Sequence, residues 1–104
     1  MENTKKAEQL EMNEKVEAFF QYFTNDEVIA RRPLRTCSAE VLETEDCYLL
    51  KSYNTLVAII AKRTHQMADG LRYVYGYTAT SAQHIAKFAK DYGAKEVWTW
   101  KEVK

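Results

Sequence analysis

Residues 55–62 read TLVAIIAK, Thr55 to Lys62. A strand with one wet face alternates apolar and polar side chains. This one is apolar at every position from Leu56 to Ala61, so neither face tolerates water. It belongs in the centre of a sheet.

Working outward, the period is two on both sides. Thr36 to Glu43 reads as a strand, followed by an acidic turn at Glu45-Asp46 and a short apolar strand from Cys47 to Lys51. Ser52-Tyr53-Asn54 bends the chain or marks a bulge. After the central strand, Arg63 to Gly70 reads as a loop closed by Asp69-Gly70. Leu71 to Tyr77 is the next strand, antiparallel to the central one as a hairpin.

The stretch YVYGYTATSAQHIAKF, Tyr73 to Phe88, then switches period. Its first half alternates and its second half has helical spacing. Thr80 is the expected N-cap, and Gln83 three residues on completes a capping box. Ile85, Phe88, Ala89 and Tyr92 form the buried stripe, Lys87 and Asp91 an i,i+4 pair, and Gly93 the left-handed stop. Lys95 to Lys101 is a last strand.

Towards the N-terminus the period is helical. From Thr4 to Phe23, the residues Met12, Val16, Phe19, Phe20 and Phe23 recur at three- and four-residue steps. Thr24-Asn25-Asp26 breaks the helix. Glu27 to Arg32 reads as a short extra turn capped by Asn25 or Asp26, stopped by Pro33. The result is one α+β domain over residues 1–104: an N-terminal helical segment (1–33), then sheet plus helix (34–104). The sheet is mainly antiparallel, with four to five strands. An amphipathic helix precedes it and a second helix precedes the last strand.

Composition agrees with a folded chain. The 104 residues are 46% hydrophobic and 29% charged, with one proline and three glycines. A domain of this size hides roughly two-thirds of its unfolded surface, so it needs neither disulfide nor metal to fold. Net charge is zero, but residues 1–50 hold six Lys/Arg against eleven Asp/Glu, and residues 51–104 hold nine against four. That asymmetry suits head-to-tail association or a charged partner. No secretory signal and no long apolar run is present, so a cytoplasmic, non-membrane protein is expected. Cys37 and Cys47 are then free thiols, with a bridge across a hairpin as the alternative.

Three groups of residues are candidates for function. Tyr73, Tyr75 and Tyr77 share one side of their strand, and Trp98 and Trp100 share one side of theirs. The second helix is expected on the opposite, Val74/Gly76 side. The aromatic side either lies under the Phe19/Phe20/Phe23 stripe or stays open as a dimer seam, a partner site or a stacking platform. The second group is the helix start. Thr78, Thr80, Ser81 and His84, with Arg72 or Lys51, have the donors and charge to hold a small anion, or serve only as a cap. The third is the basic run Arg31, Arg32 and Arg35: a nucleic-acid contact, a solvated turn, or a partner for the acidic N-terminal helix.

Catalysis is not expected. Ser81, His84 and Asp91 lie on one helix and cannot converge as a triad. Cys37, Cys47, His65 and His84 lack the close pairs of a zinc site, so no metal and no cofactor is implied.

Two motifs inside Leu50–Phe88 carry a resemblance. One is Ser52-Tyr53-Asn54-Thr55-Leu56-Val57-Ala58. The other is Tyr77-Thr78-Ala79-Thr80-Ser81-Ala82-Gln83-His84-Ile85-Ala86-Lys87-Phe88. The segment resembles a family of short bacteriophage and prophage proteins, mostly of Gram-positive and gut bacteria. Those carry S-Y-x-T-x-V-A and then an aromatic strand running into Y-S-x-T-T-x-x-H-I-x-x-F. Thr78 stands for the serine and Ser81 for the second threonine; both keep a hydroxyl.

The resemblance implies a phage or mobile-element setting inside a bacterial host cell. It does not imply a mechanism. By analogy with small phage proteins, the expected function is non-enzymatic binding to a host protein, such as a defence component. The alternatives are binding of a small anionic or nucleotide ligand at Thr78–His84, or DNA/RNA-binding regulation through the arginines.

Overall fold

The computed structural model of the protein describes residues 2–34, 38–53, 55–70 and 79–99, without the side chains of 2–10, 12, 13 and 79–81. Its elements run α1 (Glu2–Thr24), β1 (Ala30–Pro33), β2 (Ala39–Glu43), β3 (Cys47–Ser52), β4 (Thr55–Ala61), β5 (Gln66–Asp69), α2 (Ala79–Asp91) and β6 (Glu96–Thr99). The fold is α+β. The strands form one sheet in chain order, β1 to β6. Neighbours are antiparallel from β1 to β5. β5 and β6 are parallel, which requires a crossover, and α2 lies on that connection.

β4 lies inside the sheet, between β3 and β5. The two faces of the sheet are covered by different helices. On one, Val16, Phe20 and Phe23 of α1 meet Leu42, Leu49 and Ile59. On the other, Ile85 and Phe88 of α2 meet Val41, Leu50 and Ile60. A bulge adjusts β4 between them. Leu50 pairs with Ala58 and Lys51 with Leu56, so Val57 has no partner on β3. Val57 and Ala58 therefore both face α2.

The described residues hold six strands where four to five are expected, because two short segments are strands. Glu27–Arg32 is not a helical turn. Ile29 N–H donates to Glu43 O (2.8 Å) and Leu34 N–H to Ala39 O (3.0 Å), drawing β1 onto β2. Pro33 is tolerated there because β1 is an edge strand. Residues 63–70 are not all loop either. Met67 and Ala68 are buried against opposite faces of the sheet. Burial makes a strand of four residues too short to show a period. The antiparallel partner of β4 is consequently β5, whereas Leu71–Tyr77 lies outside the described residues.

Both helices end as their sequences dictate. Gly93 has φ 66°, and Ala94 N–H donates back to Ala89 O (2.9 Å), a six-to-one Schellman closure. Thr24 Oγ1 and Asn25 Nδ2 donate to Gln21 O and close α1. Phe20 sits directly on Gly70, where a β-carbon would fall 2.4 Å from its ring.

Candidate functional site

Two motifs distant in sequence meet on the α2 side of the sheet. Ser52 closes β3 and is 1% exposed; His84 lies in the second turn of α2 and is 8% exposed. Ser52 Oγ and His84 Nδ1 are 2.9 Å apart. The contact joins the Ser52–Ala58 motif to the Tyr77–Phe88 motif, and so pins the tip of the β3–β4 hairpin to the helix. Tyr53, next in that tip, has φ 52°, a left-handed conformation uncommon for a residue with a β-carbon. Its N–H donates to Ser38 O (2.8 Å) and its ring centroid lies 6.0 Å from that of His84.

A serine hydroxyl against an imidazole is also how a nucleophile meets a general base. Here the hydroxyl is sealed from solvent, and among the described residues no carboxylate orients the imidazole. As found, the pair satisfies two buried polar groups. Sequence spacing did not signal it, because the partners are 32 residues apart.

α2 begins at Ala79, so Thr80 and Ser81 stand inside its first turn and Thr80 is not the N-cap. Their side chains, and Arg72 and Thr78 entirely, lie outside the described residues. Of the residues expected around an anion, His84 is directed at Ser52 instead.

Of the aromatic group, Tyr73, Tyr75, Tyr77 and Trp100 lie outside the described residues. Trp98 is half-buried beside α1. Phe19 meets it edge-on at 5.5 Å, and its indole N–H donates to Glu96 Oε1 at 2.9 Å. Phe19 thus shields one part of the Trp98 ring.

Of the arginine group, Arg35 lies outside the described residues. Arg31 and Arg32 are on β1 and, among the described residues, form ion pairs with β2 carboxylates. Arg31 reaches Glu40 at 3.6 Å and Arg32 reaches Glu43 at 2.7 Å. Glu43 also takes Lys62 at 2.7 Å, and Lys62 lies over the Tyr48 ring. Lys62 first, then Arg32, holds the Glu43 carboxyl below the usual carboxylate range.

Cys47 is a free, buried thiol, bonded to Thr44 Oγ1 at 3.1 Å, and burial pushes its pKa up to about 11. It stays protonated and unreactive at neutral pH. Cys37 lies outside the described residues. No three His, Cys, Asp or Glu side chains gather at one point among the described residues, and no described helix is long and apolar enough to cross a membrane.

One open feature escaped the sequence reading. A groove of about 520 Å³ runs between the end of α1, the β2–β3 turn and the end of β4. Tyr22 and Phe23 wall it on one side, Glu45 and Asp46 on another, and Lys62 and Arg63 on a third. Tyr22 is 73% exposed and packs edge-on against Phe23 at 4.8 Å. It falls off the helical stripe, so periodicity passes over it.

No curated protein and no solved structure matches the chain. A family model described as "Family of unknown function (DUF8033)" matches residues 23–104, from the last turn of α1 onward. That match spans more than half of the sequence, and the chain belongs to the DUF8033 family.

Proposed function

We propose that the protein is a phage or mobile-element accessory protein that binds a host protein without catalysing a reaction, with a defence component as the target. The carrying observation is the groove at the end of α1, where Tyr22 stands 73% exposed over an open cavity. Tyrosine is favoured at contact centres because one rigid ring offers both apolar area and a polar tip. The sealed Ser52–His84 pair supports a role without catalysis. The ion-paired Arg31 and Arg32 favour a protein partner over nucleic acid, since their charge is largely answered within the sheet.

The test is affinity capture from bacterial host lysate with the wild-type chain and Tyr22→Ala side by side. The expected result is one host protein retained by the wild type and lost with Tyr22→Ala. Capture of nothing above background, or equal capture by both, overturns the reading.

A further inference from the structure

We infer that the groove at the end of α1 receives a cationic side chain, an arginine or lysine, of the partner protein. This rests on the binding role proposed above and adds the chemistry of the contact.

The charges of the groove are unequally committed. Glu45 and Asp46 are adjacent and exposed at the tip of the β2–β3 turn. Among the described residues neither carboxylate makes an ion pair or a side-chain hydrogen bond. The turn is nonetheless held in place. Asp46 N–H donates to Thr44 Oγ1 (3.3 Å), and Asp46 O accepts Lys62 N–H (2.9 Å). Behind the turn, Asp26 Oδ2 accepts the Thr44 hydroxyl at 3.3 Å and adds a third carboxylate nearby.

Of the two cations, Lys62 is already bound by Glu43 at 2.7 Å and turned onto Tyr48. Among the described residues lining the groove, that leaves Arg63 to oppose the free carboxylates. α1 ends at the groove with no basic residue in its last turn, so the carbonyl end of its dipole adds further negative potential. The local field is therefore negative although the chain as a whole is neutral.

The aromatic wall selects among possible guests. An anion would face two free carboxylates. A purely apolar group would strip water from them without compensation. An arginine or lysine meets both features, its charge against Glu45 and Asp46 and its flank or head over the open Tyr22 ring. Arg63 opposes this guest, which makes its removal a test with the opposite sign.

The probe is N-acetyl-arginine methylamide titrated into the ¹⁵N-labelled full chain, with N-acetyl-citrulline methylamide as the uncharged control. Saturable amide shifts confined to Tyr22, Phe23, Glu45, Asp46 and Arg63 are expected with arginine and none with citrulline. Glu45→Gln with Asp46→Asn weakens binding about fivefold, Arg63→Gln strengthens it about twofold, and added salt weakens it. All three positions are exposed, so the spectra of the variants otherwise overlay that of the wild type. Absence of saturable shifts, equal shifts with citrulline, or unchanged affinity in the double variant overturns the inference. Failure here separates from failure of the binding role. A host protein captured through Tyr22 and indifferent to Glu45→Gln/Asp46→Asn removes the cation and leaves the binder. Arginine binding with no captured protein does the reverse.

Discussion

The two faces of the sheet are sealed by different physics. Under α1 the buried contact is apolar: phenylalanine rings on aliphatic strands, with Phe20 set into the space that Gly70 leaves empty. Under α2 an apolar core of similar extent also encloses a polar contact, Ser52 to His84, and is flanked by the Glu43–Lys62–Arg32 network. Apolar packing has no preferred direction, whereas a hydrogen bond requires one geometry. The α1 face therefore supplies cohesion, and the α2 face also fixes how the helix sits over the hairpin. The family match contains all of α2 and the last two residues of α1.

Perturbing each face should reveal the contrast. The largest effect is expected from Phe20→Ala, which empties a buried ring site and costs about 3–5 kcal/mol in chemical denaturation. Gly70→Ala intrudes on the same ring from the other side and costs about 1–3 kcal/mol through overpacking. If Gly70→Ala is neutral, Phe20 is not tightly seated and the shape argument for this face fails.

A smaller but more specific effect is expected on the α2 face. Ser52→Ala leaves a buried imidazole nitrogen without its partner and costs roughly 1–3 kcal/mol. Combining it with His84→Leu should cost less than the two single changes added together, because neither polar group is then left unsatisfied. Strict additivity in that cycle would mean that the two side chains are only neighbours.

The smallest effect belongs to the rim network. The Glu43 carboxyl has a lowered pKa in the folded chain, so its contribution is present above the ordinary glutamate range and lost as pH falls through the folded value. The stability difference between wild type and Glu43→Gln should shrink as pH is lowered from roughly 5 to 2. A difference that stays constant over that range would show that the carboxylate charge contributes nothing.

The legible parts of the fold were those carried by repetition. TLVAIIAK announces a buried strand, the Phe19/Phe20/Phe23 spacing announces α1, and Gly93 marks the end of α2. Strands of four residues, β1 and β5, show too few repeats for a period to emerge, and both appear only once neighbours supply hydrogen bonds and burial. The bulge at Val57 is invisible for the same reason, since both of its possible faces are apolar. The candidate sites fared differently because sites are made by long-range contact. Nothing in the spacing couples Ser52 to His84, or Tyr22 to the Glu45-Asp46 turn. At the helix start hydroxyls and a histidine cluster in sequence; the histidine is bonded to Ser52 of β3, and the side chains of Arg72, Thr78, Thr80 and Ser81 lie outside the described residues.

The order of the strands also bears on how the chain assembles during synthesis. β1 to β5 form a run of nearest-neighbour pairings that can close as each strand leaves the ribosome. α1 is made before the strands, and the strands it lies nearest, β4, β5 and β6, are made after β1 to β3. Its phenylalanine stripe is thus only partly covered until those later strands are made. That interval is when the nascent protein is most open to chaperone capture or aggregation.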